Sequence, residues 1–430
     1  MTAPKQCRAM SSFDTDVMTH STEWEAILPL ELRLPALETI ASIVSQALRL
    51  APGITDPARL CDMALLSAYV SAAEDREQYR VSSVALLNQA IERVSLEKLH
   101  DLGLFGGLSG IGWSIEHISR LLSGEDGSSN EAGEPSEDPV ADVDRAILMQ
   151  LERPQWPGTH DLLTGLVGIG VYFLERLPRP SSRRGLDLVL NHLADLAEQS
   201  WGGTTWRTHS QFVRTEWRRA FPAGYYDVGV ALGVPGVVLF LAMVSTAGMP
   251  TIATGVLLNG AVKWMLAQER PPDALSRFPS LFAPGLEPTD AGLSWWYGDL
   301  GVSVALYTAA RVTGRRDWHR YAISLFERCL AWPVEKDGVA DAGLCRGALG
   351  IAHVCNRFYH AERNPRHRDA ANLWFHRGLD LWKTGSGLTE SSSSLLDGGV
   401  GVALALISAA HPIAPEWDRL LLLSGRASST

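Results

Sequence analysis

Gly106-Gly107-Leu108-Ser109-Gly110-Ile111-Gly112 sets the reading of this chain, because it returns as Gly165-Leu166-Val167-Gly168-Ile169-Gly170. Related phrases follow at Gly233-Val234-Pro235-Gly236, Gly298-Asp299-Leu300-Gly301, Gly347-Ala348-Leu349-Gly350 and Gly399-Val400-Gly401, at intervals of about 50 to 70 residues. Each opens an apolar run of helical length, such as Val302–Ala310 or Val402–Ala410. The stretches between them, among them Gly185–Gln199, Asp317–Trp332 and His367–Trp382, carry apolar residues three and four apart, the period of a helix with one buried stripe. Strand-type alternation is nearly absent. A helix apolar on most faces must be buried, and an amphipathic one can cover it. The pattern predicts an all-α fold, a double-layer α/α toroid whose inner wall is the apolar set. The glycines are expected to supply positive φ before each inner helix and to let helix ends crowd together. Six such ends on one rim would form a shallow, weakly positive bowl of bare N–H groups.

Working outward, residues 1–50 read as an N-terminal segment with a first helix, 51–415 as a single barrel domain, and 416–430 as a C-terminal tail. Ser123–Asp144 is acidic, poor in apolar residues and broken by proline, so it reads as a disordered loop. Ser391–Ser394 is a shorter polar insert. Neither carries chemistry.

The formal charge of −10 argues against a nucleic-acid or anionic-membrane binder, since both need a basic face. The five cysteines (Cys7, Cys61, Cys329, Cys345, Cys355) are scattered and lack CxxC spacing, which fits free thiols in a reducing cytoplasm. Met1–Glu23 is polar, without the apolar core of a secretion signal. Val228–Gly248 is uncharged over a length that could span a bilayer, yet Gly229, Gly233, Pro235 and Gly236 break its first half. It reads as a buried helix after a Gly-Pro turn.

Five phrases, in order over roughly residues 60 to 410, resemble the lanthionine-synthetase-C-like (LanC-like) family. HDLLTGLVGIGVYFLER (His160–Arg176) resembles that family's Asp-containing helix start, and YYDVGVALGVPGVVLFLA (Tyr225–Ala242) its Ala-His-Gly segment. LSWWYGDLGVSVAL (Leu293–Leu306) resembles Trp-Cys-Tyr-Gly, LCRGALGIAHV (Leu344–Val354) resembles Cys-His-Gly, and LLDGGVGVALALI (Leu395–Ile407) the last inner helix. The resemblance implies thioether ring formation, in which a cysteine thiol of a dehydrated precursor peptide adds to a dehydroalanine or dehydrobutyrine. In the family a zinc ion held by two Cys and one His binds that thiol as a thiolate. A His and an Asp are implicated in proton transfer, with an Arg close by. A dehydratase or other biosynthetic enzyme is the implied partner.

Here the family's ligand set is broken. Trp296 stands at the first zinc Cys, Arg346 at the zinc His, Leu232 at the proton-transfer His and Gly292 at the Arg, while Cys345 is retained. Asp161, Tyr297, Asp299 and Asp397 fit the pattern. One thiolate beside a guanidinium cannot hold zinc, and neither His353 nor His160 has metal-ligand spacing to Cys345. The expectation is no cofactor, with zinc absent.

Three readings stay open. A zinc-independent cyclase would use Arg346, Asp161 and Tyr297 as its catalytic residues, with His160, Leu232, Trp296, Asp299, Cys345 and Asp397 lining the site. A pseudo-cyclase would bind precursor peptide or a partner enzyme without chemistry, and there Arg346 would serve an ordinary salt bridge. A glycosidase would need paired carboxylates about 5–9 Å apart, for which Asp161, Asp299 and Asp397 are the candidates.

Overall fold

The computed structural model describes residues 24–94, 101–123, 138–200, 202–385, 389 and 392–426. Among these, helices alternate between two layers. The inner ring is α2 (Pro57–Glu74), α4 (Leu108–Ser123), α6 (Leu166–Glu175), α8 (Val234–Thr246), α10 (Asp299–Thr313), α12 (Ala348–Glu362) and α14 (Gly399–Ala410). The outer ring is α1 (Leu30–Leu50), α3 (Glu77–Arg93), α5 (Ala141–Leu151), α7 (Pro180–Leu196), α9 (Ile252–Leu266), α11 (Arg316–Leu330) and α13 (Pro365–Thr384). Successive inner helices pack side by side and α14 returns to α2. Between α10 and α12 the join is made by side chains, with the Tyr307 and Phe358 rings 5.2 Å apart. The α/α toroid is therefore closed.

The two layers differ as their sequences require. Every residue of α14 is buried, as is Val234–Val244 of α8. By contrast α11 buries one stripe, Trp318, Ala322, Leu325, Phe326 and Cys329, and leaves its charged face to solvent. No helix among the described residues is long and apolar enough to cross a membrane. The uncharged stretch from Val228 becomes a rim loop followed by α8, with Pro235 in its first turn. Two small antiparallel pairs complete the fold: β1 (Glu198–Ser200) with β2 (Gly203–Thr205), and β3 (Tyr226–Asp227) with β4 (Leu281–Phe282). The second pair ties the long loops before α8 and α10 together.

The loops before six of the inner helices share one frame, counted from the glycine at the helix start: Gly107, Gly165, Gly233, Gly298, Gly347 and Gly398. Three residues before it stands Leu104, Leu162, Val230, Trp295, Leu344 or Leu395, each no more than 3% exposed. Three residues after it stands a second glycine, in the helix's first turn. A Cβ there would lie 1.9 Å from the Leu104 carbonyl oxygen at Gly110, and 1.9 Å from that of Leu395 at Gly401. The other four members of the set meet the equivalent carbonyl at 2.5 Å or less. The glycine pair thus exists because a loop carbonyl lies against the first turn. The expectation of positive φ at the helix start is met at Gly298, at +82°, but Gly165, Gly233, Gly347 and Gly398 are extended at −96° to −130°. Close backbone approach, rather than handedness, is what requires them.

Four of these loops also donate a backbone hydrogen bond to the next from the same buried position, while the loop before α10 reaches the next one through Leu293 N–H to Asp337 O at 3.0 Å. Leu104 N–H reaches Leu163 O (2.9 Å), Leu162 N–H reaches Ala231 O (3.1 Å), Val230 N–H reaches Trp296 O (2.8 Å) and Leu344 N–H reaches Leu396 O (2.9 Å). The series ends where Leu395 N–H meets Asp62 Oδ2 at 3.0 Å. Here the repeat changes: α2, the seventh inner helix, has no glycine loop and starts on Asp56, whose side chain caps Ala58 N, followed by Pro57.

Three segments differ from the sequence reading. The first helix was set apart from the barrel, yet α1 belongs to its outer layer and packs on α14 and α13. Of the stretch read as a disordered loop, 124–137 lies outside the described residues. Asp138–Asp144 forms a turn and the start of α5, because the fully buried Arg176 needs counter-charges there. Its guanidinium bonds Asp138 (2.6 Å), Asp144 (2.7 Å) and Glu116 (2.7 Å).

The presumed tail also enters the fold, forming a 3-10 turn at Glu416–Leu421 in the middle of the ring. Asp418, without solvent exposure, accepts bonds from Arg357 (2.6 Å) and His353 (2.7 Å), and Arg419 pairs with Glu175 at 3.2 Å. Trp417 Nε1–H reaches Ser408, and Trp295 Nε1–H reaches Leu421 O. These contacts come from opposite sides of the ring, so the segment plugs its centre.

The carbonyl contact sets a stability test. Gly401→Ala should cost about 1–3 kcal/mol in denaturant unfolding, while Gly255→Ala, with open space around its would-be Cβ on α9, should add up to about 1 kcal/mol. Equal effects at the two positions would contradict the close-approach account.

Candidate functional site

The residue just before the helix-start glycine is the one each loop presents to the mouth: Gly106, Thr164, Leu232, Tyr297, Arg346 and Asp397. All six are exposed or half-buried, against the buried residues two positions earlier. The frame therefore converts adjacent loops into adjacent side chains on the rim. Four of the sequence-derived site residues belong to this row.

One cluster forms where the loops before α10, α12 and α14 meet. The Arg346 guanidinium lies 5.9 Å from the centre of the Trp296 ring, with the Tyr297 side chain, Cys345 and Asp397 close enough to act on its charge. The Cys345 thiol is buried near the Asp397 carboxylate. Burial first, then the Asp397 charge, push that thiol well above its ordinary range, and Arg346 only partly offsets them. Cys345 thus lacks the exposed, electropositive surroundings that favour a thiolate.

A second group lies along the rim, at the loops before α6 and α8. Asp161, 6% exposed, accepts the Thr164 N–H at 2.8 Å. His160 is buried with no hydrogen-bond partner for Nε2, and its ring stands 6.5 Å from that of Trp206. Burial lowers it to about 4, with His209 acting the same way and Asp161 opposing, so it is neutral at pH 7. Leu232 stands half-buried on the same stretch of rim, against the core. Gly229 links the two groups, because its backbone lies against Trp296 O and Tyr297 Cβ.

Asp299 belongs to neither group. At 1% exposure, its carboxylate accepts the N–H groups of Arg277 and Phe278, both at 2.9 Å, so it pins the loop before α10. This removes one of the carboxylates a glycosidase would need. His353 bonds Asp418 in the ring's centre, away from Cys345. Among the described residues, no group of three or more His, Cys, Asp or Glu side chains is placed to hold a metal ion. The donors at the rim, one thiol and one carboxylate beside a guanidinium and an indole, fall short of the three protein ligands a zinc site keeps.

Asp227 was not singled out in the sequence. Its carboxylate, 6% exposed, accepts Gly229 N–H at 2.7 Å in an Asx turn, the geometry Asp101 and Asp341 repeat in their own loops. What sets Asp227 apart is its neighbour: burial, and then the charge of Asp161, raise it to about 7. The Asp-x-Gly spacing marks the turn, but the second carboxylate comes from another loop and is invisible in the local sequence.

That shift has a sign. The native state keeps this proton up to about pH 7, whereas the unfolded chain releases it near 3.9, so the stability it contributes at low pH is lost as pH rises through that window. Asp227→Asn keeps an acceptor for Gly229 and cannot ionise. It should match the parent protein near pH 4 and exceed it by on the order of 2 kcal/mol at pH 8 in urea unfolding. An advantage independent of pH would contradict the raised Asp227 carboxyl.

The model of the lanthionine synthetase C-like protein family matches residues 61–422. No curated protein sequence matches the chain. Among solved structures, nisin cyclase superposes with a TM-score of 0.75 over 90% of this chain and 97% of its own, at 18% sequence identity. That likeness is one of fold. The family match spans most of the chain and includes every rim loop but the first residues of α2, and the chain belongs to the lanthionine synthetase C-like family.

Proposed function

We propose that this protein acts on a dehydrated precursor peptide in thioether, lanthionine-type, ring formation, by a route that needs no zinc. The observation that carries the reading is Arg346: a permanent cation on the rim, between the Trp296 ring, the Tyr297 hydroxyl and the Asp397 carboxylate. The toroid that presents it has the fold of nisin cyclase.

A free thiol with a pKa near 8.5 is only about 3% thiolate at pH 7, a deficit of roughly 2 kcal/mol. A neighbouring cation lowers a thiol by one to several units, so one arginine covers that deficit. In this route the substrate thiol loses its proton and its sulfur attacks the β-carbon of the dehydro residue. The carbon–carbon double bond becomes an enolate, whose oxygen Arg346 stabilises, and the α-carbon then takes a proton. Tyr297, close to Arg346, and Asp161 are the proton carriers this assigns. A dehydratase is the partner that supplies the substrate.

A second reading is favoured by Leu232 and Trp296. Both are apolar and half-buried at the mouth, a surface suited to holding peptide without chemistry. In that pseudo-cyclase the toroid is a scaffold for precursor or partner enzyme.

Purified protein and a dehydrated precursor peptide separate the two. Thiol loss should be accelerated over the uncatalysed rate, survive a chelator, and fall at least about tenfold in Arg346→Ala. Background rates alongside tight peptide binding would establish the scaffold instead.

A further inference from the structure

The rim is tiled by six glycine loops, and the seventh position has none. Where α2 begins on Asp56-Pro57, a cavity of about 250 Å³ opens between the loop before α4 and the loop before α14. Asp397, part of the cluster around Arg346, stands on its edge, so the cavity adjoins the proposed site of ring formation. Leu104, Phe105, Leu396 and Leu420 give it apolar walls, Leu420 being supplied by the segment that plugs the ring.

Asp62 lies below this opening, five residues into α2 and so about 8 Å down the helix axis. One of its oxygens accepts Leu395 N–H at 3.0 Å, and among the described residues the carboxylate makes no other hydrogen bond and no ion pair. Arg59, the cation on the same wall, is paired with Asp56 at 3.4 Å. Burial raises Asp62 to about 7, with Asp56 adding to the rise and the Leu395 N–H and Arg59 only partly opposing it.

We infer that this cavity is a side-chain subsite for a lysine of the substrate peptide, its stem along Leu104, Leu396 and Leu420 and its ammonium at the free oxygen of Asp62. The inference rests on the peptide-substrate reading above. A compact ammonium on a four-carbon stem suits apolar walls with a single free carboxylate oxygen among them at Asp62, and the carboxylates of Asp56 and Asp397 on the same lining favour a cation further. The volume admits one such side chain.

Binding of fluorescein-labelled peptides Ala-Ala-Xaa-Ala-Ala, with Xaa lysine, norleucine or glutamate, tests this by anisotropy on the full chain and requires no cyclisation. The lysine peptide should bind at least about tenfold tighter than the other two, the scale of a charge-assisted hydrogen bond. Asp62→Asn, isosteric and still able to accept from Leu395, should erase that preference. Ala58→Phe, which narrows the opening from the first turn of α2, should weaken lysine binding with Asp62 intact. Equal binding of lysine and norleucine, or a lysine preference that survives Asp62→Asn, would overturn the subsite. Lysine preference without ring formation would sink the proposed chemistry alone, and ring formation without lysine preference would sink the subsite alone.

Discussion

A backbone carbonyl pressed against the first turn of an inner helix is the contact on which this molecule is built. It occurs six times, between the buried residue three before the helix-start glycine and the glycine three after it. Because no side chain fits there, the loop is locked to the helix, and its position two residues later is forced outward. The chain of N–H···O bonds from loop to loop then fixes the spacing of those outward positions. Tyr297, Arg346 and Asp397 are neighbours on the rim for this reason, although about fifty residues separate each from the next. The chemistry of the mouth is chosen by whichever side chains occupy that row, while the scaffold beneath tolerates the choice.

Charge, unusually, is buried inside this fold. Arg176 and Asp418 have fully buried side chains, and the acidic partners of Arg176 come from both sides of a loop. Such groups add little net stability over an apolar core, but each is costly to leave unpaired, so they select one arrangement. Arg176 specifies how the chain enters α5 and Asp418 how the C-terminal segment enters the ring, and that segment supplies Leu421 O to the Trp295 indole beneath the rim. The plug is thus connected to the loop that carries Trp296 and Tyr297.

The toroid was legible because its determinants are local: the GxxG phrases recur, and the apolar and amphipathic helices alternate with a clear period. The physical reason for the glycines was only half legible, since carbonyl contact and positive φ ask for the same residue. The start of α2 escaped the repeat, because Asp56-Pro57 does by side-chain capping what glycine loops do elsewhere. Asp138 and Asp144 looked like solvated loop residues, and the last fifteen residues like a tail, because the arginines that capture them lie far away in sequence. At the site, Arg346 and Tyr297 could be placed from their neighbours in the chain. Asp227 gains its character from Asp161 in another loop, and Asp299 loses its place at the mouth to the amides of Arg277 and Phe278.

The proposed function turns on Arg346, a fixed organic cation on the rim, doing the work proposed for it without a metal ion. The most direct measurement is metal content together with anomalous scattering at the zinc edge, on crystals of protein produced in zinc-supplemented medium. The account predicts no stoichiometric zinc and no anomalous peak within bonding distance of the Cys345 sulfur. One zinc per chain, ligated by that sulfur, would contradict it.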